Sequence, residues 1–240
     1  EAALYKALVD KGITPDVTAG LSLGEYGALI ASGAMTMEDA FGVVRKRGIY
    51  MQEAVPTGGA MTAVLGLDPE KIEEICKETA QKESAVVSIA NYNCPGQIVI
   101  TGQKDAVDKA AAACSEAGAK RAVPLKVSGP FHSKMLEGAG EKLGEALKNV
   151  EIHDIKVPYI TNVTADYVAS KDDVKDYLKR QVSSSVRWQQ TIERLIADGA
   201  DEFIEIGPGR SLAGFMRKIN RDVKVVNIDK LEDFEKYVNR

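Results

Sequence analysis

Residues 17–28 of this chain read Val17-Thr18-Ala19-Gly20-Leu21-Ser22-Leu23-Gly24-Glu25-Tyr26-Gly27-Ala28. A short apolar run ends in Gly-x-Ser-x-Gly and continues with helical spacing. That is the layout of a nucleophile elbow, in which a serine on a tight strand-to-helix turn is held in a strained backbone. Glycines two residues to either side leave room for neighbouring segments to pack closely. Ser22 would then stand clear of the sheet as a nucleophile. The Leu23 N–H, free at the start of the helix, would point to where negative charge develops on an attacked carbonyl, which is half an oxyanion hole. Taken alone, the pentapeptide also fits a glycine-rich loop; the apolar run before it and the helical spacing after it favour the elbow.

Two further residues have types and positions suited to such chemistry. In a helix expected over Met37 to Ala54, Ala40, Val43, Val44 and Met51 share a face, and Arg47 falls in the middle of it at 100° per residue. A guanidinium on an apolar stripe is costly unless an anion satisfies it. A structural ion pair with a distant Asp or Glu, or a snorkelling side chain, would account for it, and so would a bound carboxylate. The chain has two histidines. His153 lies among charged residues and is expected at the surface. His132 follows the turn-rich Ser128-Gly129-Pro130-Phe131 and opens a helical pattern, a position suited to a general base. A lone histidine is more often structural; paired with Ser22 it gains a role.

The elements that must position these residues follow from periodicity and breakers. A helix over residues 1–11 stops at Gly12, and an extended run from Asp16 to Ala19 delivers Ser22. The next helix runs to Ser32 with Gly33 as its stop, and Thr36 caps the one carrying Arg47. Residues 58–127 then read strand (60–65), helix (69–82), strand (85–90), strand (97–101), helix (104–117) and strand (121–127), with a hairpin at Pro95-Gly96. That is the split order of a ferredoxin-like unit inserted into a larger domain made of residues 1–57 and 128–240. The remainder returns to alternation: strand 157–162, helix 172–182, helix 191–198, strand 202–206, helix 211–219 and strand 223–228. Gly207-Pro208-Gly209 lacks the lysine and hydroxyl residue of a phosphate loop and is taken as a packing turn. The expected fold is α/β, with a parallel-sheet large domain and an inserted ferredoxin-like small domain.

With 240 residues, 45% of them hydrophobic, the chain can build one large core and a satellite. A net charge of −4 gives no basic footprint for nucleic acid. Cys76, Cys94 and Cys114 form no C-x-x-C pair, which points to free thiols in a reducing compartment and to no metal site. No stretch approaches a membrane span, and a cytoplasmic monomer is expected. The chain begins at Glu1 inside a helical pattern, which suggests a fragment or a processed product.

With these residues placed, the chain resembles the malonyl-CoA:acyl-carrier-protein transacylases of fatty acid synthesis and the acyltransferase domains of polyketide synthases. The resemblance rests on Gly20-Leu21-Ser22-Leu23-Gly24-Glu25-Tyr26, on Arg45-Lys46-Arg47-Gly48 with Met51-Gln52, on Asn93-Cys94-Pro95-Gly96-Gln97, on Gly129-Pro130-Phe131-His132-Ser133, on Arg180-Gln181-Val182 and on Gly207-Pro208-Gly209. It implies an α/β hydrolase-like large domain and a ping-pong transfer. Ser22, relieved of its proton by His132, would take the malonyl group from malonyl-CoA and pass it to the phosphopantetheine thiol of acyl carrier protein. It also implies that the Gln181 backbone carbonyl orients His132, that the Leu23 N–H serves the oxyanion, and that Arg47 holds the malonyl carboxylate through two parallel hydrogen bonds. Met51, Phe131 and Asn162 would lie at the substrate, with Phe131 narrowing the pocket in favour of malonyl over branched groups. No bound cofactor or metal is implied, and the partners would be acyl carrier protein and a coenzyme A thioester.

Two departures from the family pattern bear on this. Leu21 stands where histidine is usual, so local hydrogen bonding must differ. A Gly-Gln-Gly segment that supplies the second oxyanion donor in the family has no counterpart here, and loss of such a donor typically costs about 10²–10³ in turnover. Two other readings therefore remain: a serine esterase or thioesterase, and an inactive carrier-protein-binding fragment. The first expects a late histidine and has no use for a buried arginine. For either carrier-binding reading, Lys126, Lys134, Arg180 and Arg187 are candidates to meet an acidic partner.

Overall fold

The computed structural model describes residues 1–127 and 129–240; Ser128, the first residue of the turn-rich segment, lies outside the described residues. Helix α1 (Ala2–Asp10) ends before Gly12, which takes a φ of +76°. Strand β1 is two residues long, Thr18–Ala19, and leads through the elbow into α2 (Gly24–Ala31). Helix α3 (Met37–Ala54) starts where its sequence predicts, because the Thr36 hydroxyl accepts the Asp39 N–H at 3.1 Å.

The middle of the chain builds one antiparallel sheet from β2 (Gly59–Leu65), β3 (Val87–Cys94), β4 (Gln97–Gln103) and β5 (Arg121–Pro124). The strand order is β3-β4-β2-β5. Helices α4 (Pro69–Glu83) and α5 (Lys104–Glu116) pack on it, and Val64, Ile72, Ile98, Ile100 and Val107 between them are closed to solvent. That order, with its helix crossovers, is ferredoxin-like. Two details differ from the sequence expectation. β3 runs on to Cys94 through two register shifts, and β5 stops at Pro124, which has no N–H to continue the ladder. Met61, Ala63, Ala90 and Val99 form a second cluster, and Phe131 packs against it.

After a 3₁₀ turn at Lys134–Leu136 come α6 (Glu137–Leu147), β6 (Tyr159–Ile160), α7 (Val174–Gln181) and α8 (Trp188–Ala197). Then follow β7 (Glu202–Ile206), α9 (Ser211–Ile219), β8 (Lys224–Ile228) and α10 (Leu231–Val238). The expected strand over 157–162 is reduced to two residues, Tyr159 and Ile160, and α8 begins three residues earlier than expected, at Trp188. Parallel pairing joins β1 to β6 and β7 to β8. The parallel sheet anticipated for the large domain is thus present as two separate pairs. A cleft of about 960 Å³ runs along both β1 and β7, walled by residues such as Trp188, Ile192, Phe203 and Met216. Helices α3, α6 and α7 share a core of Val43, Met51, Leu143, Leu147, Val174 and Leu178. The fold is α/β, a hydrolase-like larger part with a ferredoxin-like smaller one.

Cys76, Cys94 and Cys114 are buried free thiols. Among the described residues no helix is long and apolar enough to cross a membrane, and no cluster of His, Cys, Asp and Glu could hold a metal ion.

Candidate functional site

Ser22 adopts a φ of +54°, a left-handed conformation that costs a non-glycine residue about 1–3 kcal/mol. The strain expected of a nucleophile elbow is therefore present. A Cβ on Gly20 would lie 1.9 Å from the Gly24 carbonyl oxygen, so glycine is required for α2 to fold back over the turn. Gly24 itself is different. A Cβ there would meet nothing within 4 Å, so close packing among the described residues does not account for the second glycine of the motif. Leu21, where the resemblance would have histidine, packs against the Ile160, Val186 and Trp188 cluster. The Leu23 N–H meets no acceptor among the described residues and remains open at the start of α2, where an oxyanion donor is needed.

The turn is clamped from outside. Pairing of β6 with β1 carries Asn162 to the elbow, where its Oδ1 accepts the Ser22 N–H at 2.5 Å and its Nδ2 donates to the Gly20 carbonyl at 2.6 Å. Both ends of this buried amide are committed to the backbone. Asn162, expected at the substrate, is thus a brace of the nucleophile turn.

His132 reaches the nucleophile from the other side. Its Nε2 lies 2.8 Å from Ser22 Oγ, and its Nδ1 faces the carbonyl oxygens of Gln181 at 2.9 Å and Ser184 at 3.1 Å. Two carbonyls at Nδ1 require the proton there, which leaves Nε2 as an acceptor for the Ser22 hydroxyl. Burial, reinforced by the positive charge of Arg47, pushes His132 down to about 4, while the two carbonyls act in the opposite sense. The imidazole is a neutral base across the physiological range. The Ser184 end of its support is tied to the small sheet. Val186 N–H donates to the Ala90 carbonyl at 2.8 Å, Tyr92 N–H donates to the Val186 carbonyl at 2.9 Å, and Ser185 Oγ donates to the Ile89 carbonyl at 2.6 Å.

Arg47 is 7% exposed, and its helical neighbours Val43 and Met51 are buried beside it. Its Nη2 donates both to Ser22 Oγ and to Gln181 Oε1, each at 3.1 Å. Its Nε is buried with no partner among the described residues, and its guanidinium carbon stands 5.8 Å from the Tyr26 ring centroid. No carboxylate among the described residues comes within ion-pair distance, so the structural ion pair entertained above does not form. Met51 belongs to the α3–α6 core, and Phe131 is half-buried where that core meets the small sheet.

Sequence reasoning missed two features. It assigned Gln181 through its backbone carbonyl, but the side chain also binds Arg47, the Ser22 carbonyl and Glu25. It gave Glu25 no role, although this carboxylate is fully buried on α2 between Tyr26, Ala28 and Leu29. The signal was available: an acidic residue inside an otherwise apolar helix face, the same anomaly that singled out Arg47. Of the candidate docking residues, Lys126, Lys134, Arg180 and Arg187 are all exposed, but Arg180 is occupied with Asp176 at 3.2 Å and with the Tyr177 ring. His153 is partly exposed beside Glu151. The large cleft is lined by Gly20, Leu21, Leu23 and Gly24, but not by Ser22, Arg47 or His132.

The chain matches the model of the acyl transferase domain over residues 1–229. It is 48% identical over 234 residues to the malonyl CoA-acyl carrier protein transacylase of Bacillus subtilis (strain 168), covering 97% of this chain and 74% of that relative. A protein of the same name from Staphylococcus aureus (strain COL) is 45% identical, with 97% and 75% covered. Among solved structures, MCAT from Streptococcus pneumoniae superposes with a TM-score of 0.95 at 46% identity, covering 99% of this chain and 77% of that one. A malonyl-transacylase in complex with its type II PKS acyl-carrier protein superposes equally well at 39% identity, again covering 99% and 77%.

Proposed function

Because the chain belongs to the acyl transferase domain family, we propose that it moves a malonyl group from malonyl-CoA to the phosphopantetheine thiol of acyl carrier protein through a Ser22 ester. The observation that carries the malonyl assignment is Arg47. A buried guanidinium with an unpartnered Nε, 3.1 Å from the nucleophile, suits an acyl group that itself ends in a carboxylate.

The steps follow from the hydrogen bonds. The Ser22 hydroxyl gives its proton to His132 Nε2 as Oγ attacks the thioester carbonyl, and the Leu23 N–H receives the developing oxyanion. The carbonyls of Gln181 and Ser184 stabilise the imidazolium through Nδ1. When the tetrahedral species collapses, the carbon–sulfur bond breaks and His132 returns the proton to the departing coenzyme A thiolate. The carrier thiol then gives its proton to His132, its sulfur attacks the Ser22 ester, and the proton goes back to Ser22 as the malonyl thioester leaves. Residues 58–127 form the small domain of this reading and residues 1–57 with 128–240 the catalytic one. The small domain supports catalysis by holding the segment that carries the Ser184 carbonyl. Met51 and Phe131 would bound the acyl pocket, and exposed Lys126, Lys134 and Arg187 would meet the acidic carrier.

Intact-protein mass spectrometry after incubation with malonyl-CoA and, separately, acetyl-CoA tests this. Wild type is expected to gain a malonyl adduct that Ser22→Ala does not form. Arg47→Ala is expected to lose malonyl transfer by about 10²-fold or more while its acetyl transfer falls far less, since truncating one partner of a buried charge pair costs about 2–5 kcal/mol. Equal treatment of the two thioesters by wild type would sink the carboxylate clamp, and rapid release of malonate to water instead of to a thiol would favour the thioesterase reading.

A further inference from the structure

We propose that Glu25 is the positioning residue that makes Arg47 a carboxylate receptor, by locking the Gln181 side-chain amide in the one orientation that turns its oxygen toward the guanidinium. This rests on the malonyl-transfer reading above and names a residue that the reading does not use. Glu25 lies one helical turn beyond the nucleophile on α2 and is closed to solvent. Its Oε2 accepts the Gln181 Nε2–H at 2.7 Å and the Asn162 N–H at 3.1 Å. The same Gln181 Nε2 donates its other hydrogen to the Ser22 carbonyl at 3.0 Å, and Gln181 Oε1 accepts from Arg47 Nη2 at 3.1 Å.

The chemistry around this amide leaves no freedom. Arg47 is a donor only, and the Ser22 carbonyl is an acceptor only, so the amide oxygen must face the first and its nitrogen the second. The second hydrogen of that nitrogen needs another acceptor, and in a dry interior Glu25 is the group that supplies it. Burial raises the Glu25 pKa, while its hydrogen bond from Gln181 and the charge of Arg47 lower it. The lock survives either protonation state. Oε1 has no partner in hydrogen-bond geometry and could carry a proton beside the Thr161 hydroxyl, itself unpartnered, with Oε2 still accepting both N–H groups.

One residue therefore braces two parts of the site. Through Asn162 it supports the clamp on the elbow, and through Gln181 it fixes the Nη2 end of the Arg47 guanidinium, whose buried Nε–H is left without a partner among the described residues. With one Nη2 hydrogen held by Gln181, the plane of the guanidinium is set before a carboxylate arrives to displace the Ser22 Oγ contact, whereas a mobile one would have to be ordered by the substrate. An acyl group without a carboxylate gains nothing from this.

The test compares kcat/KM for malonyl-CoA and acetyl-CoA in wild type, Glu25→Gln, Glu25→Met, Gln181→Met and the double variant Glu25→Met/Gln181→Met. Glu25→Met removes the acceptor and is expected to lower the malonyl-to-acetyl ratio about tenfold or more, chiefly through KM for malonyl-CoA. Glu25→Gln keeps a carbonyl where Oε2 stands and should hold the ratio within about threefold of wild type. Gln181→Met should lower the ratio as Glu25→Met does, and the double variant should lower it no further, because both break the same link. If Glu25→Met does not fold, the Gln181→Met and Glu25→Gln arms decide. A ratio unchanged in Gln181→Met, or an equal fall for both thioesters in the Glu25 variants, overturns the proposal. Arg47→Ala run alongside separates the two claims. If it too leaves the ratio unchanged, the carboxylate clamp has failed; if it alone lowers the ratio, only the role of Glu25 has.

Discussion

The ferredoxin-like sheet and the elbow site are held together by opposite means. In the sheet, Val64, Ile72, Ile98, Ile100 and Val107 meet within sixty residues of one another along the chain, and nothing polar is needed to specify them. At the elbow, strands of two residues cannot position anything by pairing alone. Side chains of Arg47, His132, Asn162 and Gln181 converge on Ser22 from 25, 110, 140 and 159 residues away. Each is buried, and each would cost free energy if its partner were missing. Robust apolar packing and exacting polar convergence thus occupy separate parts of one chain, and they touch where β3 holds the segment behind His132.

This separation can be broken by Ile100→Ala. Ile100 is fully buried on β4, between the sheet and its helices, and truncation should cost about 2–5 kcal/mol of stability, read as a lowered denaturation midpoint. The malonyl-to-acetyl ratio of the protein that remains folded should not move. A change in that ratio would mean that packing in the small sheet tunes the site directly, through β3.

The difference also explains what was legible in the sequence. The small sheet was readable almost strand by strand, because apolar periodicity and the Pro95-Gly96 turn are local signals; only the ends of β3 and β5 moved, through register shifts and Pro124. The nucleophile, the base and Arg47 were legible as anomalies of residue type against their surroundings. The bonds of Asn162 to the elbow were not anticipated, and Glu25 and the Gln181 side chain were given no task. Their roles depend on which atoms meet across more than 130 residues, and no spacing encodes that.

A second, smaller effect separates burial from charge at the site. His132 is pushed to about 4 first by burial and then by Arg47. Loss of the neutral base should therefore cut kcat/KM only as pH falls through about 4, and Arg47→Ala should move that acid limb upward, toward the ordinary histidine value. The malonyl carboxylate, by neutralising Arg47, should raise the limb for kcat above that for kcat/KM. Stability follows the same sign. A histidine with a depressed folded pKa contributes fully above its unfolded value near 6.5, and the contribution is lost as pH falls from there through 4, about 3 kcal/mol in all. An acid limb that stays in place in Arg47→Ala would assign the whole depression to burial.

The smallest expected effect lies inside the motif that led to the site. Gly20 is sterically required, with the Gly24 carbonyl 1.9 Å from where its Cβ would be, but a Cβ on Gly24 would meet nothing. Gly24 is also the first residue of α2 and does not take a left-handed φ. Alanine there should therefore leave the stability unchanged or raise it by up to about 1 kcal/mol, through the lower entropy of the unfolded chain. The malonyl adduct should still form, because Ser22 keeps its clamp from Asn162 and its contact with His132. A measured loss of stability in Gly24→Ala would mean that the elbow is packed as tightly on that side as at Gly20, and that the site owes more to close packing than its polar contacts suggest. Retained stability with a lost adduct would instead place the demand for glycine on the approach of the thioester to the Leu23 N–H.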